Sequence, residues 1–221
     1  MNRIERQGKL AGMRLYLITG DRGGEEETLR IAQAALAGGV EVIQLRKKSM
    51  PKGEQYAIAL ALRKLTALHD KLLIINDHAD IAIAADADGV HLGQDDLPVE
   101  AVRAMPGFED RLIGRSTHSV EQARRAIREG VDYFAVGPIY PTPTKAGRPA
   151  VGTSLVKQVA AFADRPFVGV GGIDGQNAPE VVEAGAPALA VVRAIYDASD
   201  PAEAARRMHE LAVTREEAVR R

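Results

Sequence analysis

Eight short β-branched runs alternate with Ala-, Leu-, Glu- and Arg-rich segments along the chain, which predicts an α/β fold of the (β/α)8, or TIM, barrel type. Three observations carry that prediction. The runs are continuously apolar, the mark of strands covered on both faces in a parallel sheet. The segments between them repeat apolar residues at helical spacing. No Pro-, Gly- or Ser-rich linker divides the 221 residues, a length within the range of one such barrel. An open, doubly wound sheet is the structural rival.

Residues 1–13 read as a short N-terminal tail, leaving 14–221 as a single barrel domain. The first strand is 14–19 (RLYLIT). A helix over 25–37 sets Leu29, Ala32, Ala35 and Leu36 on one face and stops at Gly38-Gly39, glycine being the usual residue past a helix end. Strand two is 40–46 (VEVIQLR), followed by a helix over 55–68. Strands three to five are 72–76 (LLIIN), 89–92 (GVHL) and 112–116 (LIGRS). Ser119, with Gln122 three residues on, opens a helix over 120–129 with a capping-box pattern. Strands six to eight are 133–137 (YFAVG), 167–171 (FVGVG) and 188–192 (ALAVV). The irregular stretch 138–151, rich in Pro, Thr, Gly and Lys, reads as a lid or binding loop.

Composition removes several function classes. Lys plus Arg is 29 against 30 Asp plus Glu, so no general field draws nucleic acid or an anionic membrane, and a bound anion must be held by local groups. With no cysteine there is no disulfide, thiolate metal site or cysteine nucleophile. No apolar stretch approaches the roughly 18 residues of a membrane span, and the first residues lack a secretory h-region, so the expected location is the cytoplasm. Neither a P-loop nor a G-x-S-x-G elbow occurs.

A barrel's site lies at the C-terminal ends of its strands. Those ends carry Gln44, Arg46 and Lys48; Asn76 and Asp77; Gln94, Asp95 and Asp96; Ser116 and His118; the 137–145 stretch with Thr142, Thr144 and Lys145; Gly171-Gly172; and Val192-Arg193. Cations, hydroxyls, glycines and two separated acid sites suit phosphorylated small molecules and a divalent metal. Arg46 and Lys48 alternate along an extended end and point to one side, a geometry for a diphosphate or for surface ion pairs. Asp77 and Asp95-Asp96 follow neighbouring strands, where like charges need a cation between them; oxygen donors without cysteine point to Mg²⁺. Asp77 and Asp96 also fit as helix N-caps, and the two roles are compatible. Gly171-Gly172 and Val192-Arg193 fit a phosphate cradle or tight turns. Of five histidines, His118 alone is a catalytic candidate, while His91 reads as a core residue.

The ordered motifs QLRKK, INDHAD, GVHLGQDD, GRSTHS, GPIYPTPTK, GVGGI and VVRAI resemble the thiamine phosphate synthase family over nearly the whole chain. The resemblance implies a Mg²⁺-dependent transferase that joins 4-amino-2-methyl-5-hydroxymethylpyrimidine diphosphate to a thiazole phosphate. By position, Gln44, Arg46, Lys48, Asn76, Ser116 and Lys145 look like the pyrimidine-diphosphate site and Asp77 and Asp96 like the metal ligands. Thr142, Thr144, Gly172, Val192 and Arg193 look like the thiazole-phosphate site. The chain departs from the family pattern in three places: Lys47 replaces a glutamate, Arg193 a serine, and Thr19 leads into Gly20-Asp21 instead of directly into Asp. The alternatives are a thiazole tautomerase-like paralogue, which shares GRS-x-HS, and a non-catalytic phosphate-binding barrel. Oligomeric state stays open.

Overall fold

The computed structural model describes residues 1–143 and 149–219, with side chains described up to Val213. Its sheet is a closed barrel of eight parallel strands in chain order, each paired with the next and β8 returning to β1 through the register Leu15↔Leu189, Tyr16↔Ala190 and Leu17↔Val191. The strands are β1 (Leu15–Ile18), β2 (Val42–Leu45), β3 (Leu72–Asn76), β4 (Gly89–Leu92), β5 (Leu112–Thr117), β6 (Tyr133–Val136), β7 (Phe167–Val170) and β8 (Ala188–Val191). The barrel is thus closed, and the open-sheet rival is excluded. The strand runs read from sequence extend a residue or two beyond the ladder at several ends, as at Gly171 and Val192, where the backbone turns out of the extended conformation.

Continuous apolarity in these strands has a plain cause: their two faces are buried in two different cores. Leu15, Leu17, Ile43, Leu45, Leu73 and Ile75 point outward into the layer between sheet and helices. Tyr16, Val42, Leu72, Ile74, Leu112, Tyr133 and Val168 point inward and fill the barrel. Small residues make room for the large ones. A Cβ on Gly114 would come within 2.3 Å of the Tyr133 ring, so the glycine at that position is what lets the tyrosine cross the barrel.

The shell holds α2 (Glu25–Ala37), α3 (Lys52–Leu68), α4 (Ala79–Ala84), α5 (Val99–Arg103), α6 (Val120–Arg128), α7 (Gly152–Ala160), α8 (Ala178–Glu183), α9 (Arg193–Tyr196) and α10 (Pro201–Val219). The Ser119 cap expected from sequence is present, its side chain accepting the Gln122 N–H at 3.2 Å. Among the described residues no helix is long and apolar enough to cross a membrane.

Residues 1–13, expected to be a tail, instead carry helix α1 (Arg3–Ala11), opened by a full capping box between Asn2 and Glu5. Leu10 and, just beyond the helix, Met13 are 1% and 2% exposed and plug the interior core from below. Arg6 donates to Asp88 at 3.0 Å with both side chains buried, and Arg3 and Gln7 donate to Asp132 at 2.9 and 2.7 Å. The helix is a floor to the barrel, held by ion pairs to the N-terminal ends of β4 and β6.

Candidate active site

At the opposite end the strands open into a cavity of about 580 Å³. Gln44, Arg46, Lys48, Asn76, Asp77, Asp96, Ser116, Thr142, Gly172, Val192 and Arg193 all line it. Every site residue expected from sequence that the structure describes is therefore on one surface. Thr144 and Lys145 lie outside the described residues.

The cavity's base is a chain of hydrogen bonds across the barrel. Gln44 Nε2 donates to the Tyr16 hydroxyl at 2.7 Å, and the Tyr16 and Tyr133 hydroxyls are 2.9 Å apart. His91 Nδ1 meets the Tyr133 hydroxyl at 3.1 Å, and His91 Nε2 meets Ser116 Oγ at 3.0 Å. Burial drives the Tyr16 and Tyr133 pKa values upward, so both stay neutral hydroxyls at any working pH. His91 is buried as the sequence suggested, and its ring spans two of these groups. Gln94 adds a tie from the β4–α5 loop, its Nε2 donating to the Ser116 carbonyl at 2.5 Å.

The cations stand above this base. Arg46 is only 7% exposed, and its guanidinium donates to Asp21 Oδ2 at 2.7 Å. The other Asp21 oxygen accepts the Lys48 backbone N–H at 2.8 Å, so one carboxylate arranges both basic residues. The Lys48 ammonium is half exposed and lies 3.2 Å from Asp77 Oδ2. Lys47 between them turns to the other face, its ammonium held by the Arg22 and Gly23 carbonyls at 2.5 and 3.0 Å. This is the alternation expected for Arg46 and Lys48.

The acids meet. Asp77 and Asp96 lie within hydrogen-bonding reach of each other, and burial together with the Asp96 carboxylate raises the Asp77 pKa. Neither acts as a helix cap: the residues in those positions are His78 for α4 and Pro98 for α5. Asp77 adopts a left-handed backbone, φ 62°, which turns the chain at the end of β3, and Asp96 accepts the Gly93 N–H at 2.6 Å. Arg115 sits behind the acid-bearing loop, donating to the carbonyls of Leu97 and Gln94 at 3.2 and 3.4 Å. No group of three or more His, Cys, Asp or Glu gathers at metal-binding distance among the described residues. Two hard oxygen donors with their own repulsion to relieve fit Mg²⁺ of the kind that takes its remaining ligands from water and substrate phosphate.

The far wall is backbone. Gly171 and Gly172 have φ of 101° and 67°, and a Cβ on either would strike Pro138 or Tyr140 within 2.7 Å. The glycines are required because the β6–α7 segment packs directly on them, with the Ile139 N–H on the Val170 carbonyl at 2.9 Å and the Tyr140 N–H on the Gly171 carbonyl at 3.0 Å. His118 is tethered through Nδ1 to the Gly137 carbonyl, and its N–H donates to Gln122 Oε1 at 2.8 Å. Asp21, Tyr16 and Tyr133 were missed from sequence. Asp21 follows β1 just as the other site residues follow their strands, so the strand-end rule would have found it.

The family model described as thiamine monophosphate synthase matches residues 15–195. The chain is 47% identical over 210 residues to a thiamine-phosphate synthase of Mycolicibacterium vanbaalenii, covering 90% of this chain and 94% of that one. It is 50% identical over 199 residues to a thiamine-phosphate synthase of Streptomyces avermitilis, covering 89% and 92%. A solved structure, thiamine phosphate pyrophosphorylase from Pyrococcus furiosus, superposes with a TM-score of 0.84 at 33% identity over 94% of this chain and 97% of that one.

Proposed function

The chain belongs to the thiamine monophosphate synthase family and is a transferase, and from that premise we propose how its barrel mouth performs the reaction. The substrates are the aminopyrimidine diphosphate and the thiazole phosphate. The methylene C–O bond to diphosphate breaks, the electron pair leaves with diphosphate, and the thiazole ring nitrogen donates its pair to form the new C–N bond. No proton need move in that exchange, which agrees with a site built of cations, amides and hydroxyls.

Arg46 and Lys48 bind the diphosphate and take up the charge that grows on it as it leaves, a role that the sequence resemblance extends to Lys145. Asp21 keeps Arg46 and Lys48 aligned, so little reorganisation accompanies bond breaking. Gln44, Asn76 and Ser116 seat the pyrimidine. Thr142, Gly172, Val192 and Arg193, at the ends of β6 to β8, receive the thiazole phosphate, together with Thr144. Asp77 and Asp96 would hold Mg²⁺, which when bound supplies neutralising charge to the diphosphate oxygens. The observation that carries this reading is the enforced meeting of Asp77 with Asp96 beside Lys48.

The test is a coupling assay with both substrates, with and without Mg²⁺. Thiamine phosphate should form with Mg²⁺ and nearly cease with chelator. Undiminished turnover in chelator overturns the metal assignment, and no product under any condition overturns the reading.

A further inference from the structure

Lys47, Gly20 and the short helix that Arg193 begins converge on one joint beside the cavity. Lys47 is 2% exposed, and its ammonium bonds the Arg22 and Gly23 carbonyls and the Tyr196 hydroxyl, the last at 3.1 Å. Tyr196 is the final residue of α9, the short helix that Arg193 begins. Its ring rests on Gly20, where a Cβ would come within 2.7 Å of it. The Lys47 ammonium and the Arg22 guanidinium lie 5.3 and 5.4 Å from the ring centre. Arg22 closes the joint from the other side, bonding the Tyr196 carbonyl at 2.7 Å and Asp197 at 2.9 Å. The Tyr196 hydroxyl also lies 3.0 Å from Thr28 Oγ1 on α2.

This joint stands between the two halves of the site. The β1–α2 loop that Lys47 grips contains Asp21, the carboxylate that fixes Arg46 and the Lys48 N–H. The helix it grips starts at Arg193, which lines the cavity at the end of β8, the strand beside β1. We propose that Lys47 is a positioning residue that locks the β1–α2 loop to α9, and so holds the diphosphate side and the phosphate side of the cavity in one fixed relation. It touches neither substrate, and it acts on both. The inference deepens the proposed function and rests on that division of the cavity.

A local contact would trouble only one substrate or only stability; a shared joint troubles both substrates at once. In Lys47→Met the KM for the pyrimidine diphosphate and the KM for the thiazole phosphate should rise together, each by about 2- to 30-fold, with kcat less affected. Tyr196→Phe, which removes a single hydroxyl and keeps the ring, should give the same paired pattern at smaller size, and the double variant should fall short of the product of the two. Amide exchange of residues 20–24 should quicken in Lys47→Met, a readout that does not depend on which reaction the site performs. Unchanged KM values for both substrates, an effect confined to one, or unchanged exchange in the loop overturns the proposal. If Lys47→Met does not fold, Tyr196→Phe decides by the same three criteria. A wild-type protein that makes no thiamine phosphate would overturn the functional reading while leaving the exchange result to judge the joint.

Discussion

The two ends of the barrel hold the same residue types in opposite electrostatic states. At the floor, Asp88 and Asp132 are wholly buried and fully answered. Asp88 receives Arg6 and Arg63 at 3.0 and 3.2 Å and the Leu73 N–H at 2.9 Å. Asp132 receives Arg3, Arg103, Gln7 and the Ile113 N–H, all within 2.9 Å. At the mouth, Asp77 faces Asp96, with a half-exposed lysine as the compensating charge seen beside it. Matched charge fastens α1 to the barrel; mismatched charge is left where substrate and metal are to complete it. The barrel rule that the C-terminal face works and the N-terminal face stabilises is here a difference in how carboxylates are partnered.

That contrast is broken most forcefully from the floor. Asp88→Ala takes the carboxylate from the buried Arg6 and from the partly exposed Arg63 and should cost about 3–5 kcal/mol. For a domain of this size each kcal/mol is about 2–4 °C in Tm, so thermal unfolding should show it plainly while the folded fraction keeps its specific activity. Asp77→Ala or Asp96→Ala should do the reverse, costing at least about 10-fold in coupling rate or Mg²⁺ affinity with the fold intact. Near-normal turnover at limiting Mg²⁺ in either would sink the contrast. Arg46→Ala and Lys48→Ala should each weaken the pyrimidine diphosphate by about 10- to 150-fold while sparing the thiazole phosphate, as competition titrations would show.

A finer test uses pH. Asp77 has its pKa raised in the folded state, so between the ordinary carboxylate value and the raised one the folded protein binds more protons than the unfolded chain. Its ionisation therefore lowers stability as pH climbs through that window. Asp77→Asn, a residue tolerant of the left-handed backbone there, should melt higher than wild type at neutral pH without metal, and the gain should shrink toward zero below the ordinary carboxylate pKa. The smallest expected effect is at His118. With its ring tethered to the Gly137 carbonyl, His118→Asn should keep coupling within about 10-fold, below the 10²–10⁴ of a lost general acid or base. Fast isomerisation of a thiazole by wild type, lost in this variant and with no coupling product, would instead favour the tautomerase alternative.

The strands were legible because each is buried on both faces, which writes an unbroken apolar run into the chain. The mouth was legible because barrels place function at strand ends, and nearly every polar cluster there is in the cavity. Helix α1 was not. Ile4 is exposed, and what holds the helix is Arg3, Arg6 and Gln7 on acids 82 and more positions away, a relation no local periodicity records. Asp21 lay within reach of the strand-end rule, but its particular partner did not: the parallel register brings Ile18 beside Gln44 and so sets the end of β1 against Arg46. Whether Asp77 and Asp96 cap α4 and α5 depended on where those helices begin, a matter of one or two residues.

The closure of β8 on β1 also sets a schedule for assembly. Lys47 waits for Tyr196, 149 positions later, and the β1 ladder waits for Ala190, so neither joint nor barrel can form until almost the entire chain is present. Contacts of such long range slow folding, because the chain entropy of bringing distant segments together is spent before they reward it. During synthesis the early strands are edges without partners, open to mispairing until the last strand arrives. Activity should therefore appear in one step with completion of the C-terminal quarter, and a chain ending before β8 should carry Gln44, Arg46, Asp77 and Ser116 and yet make no product.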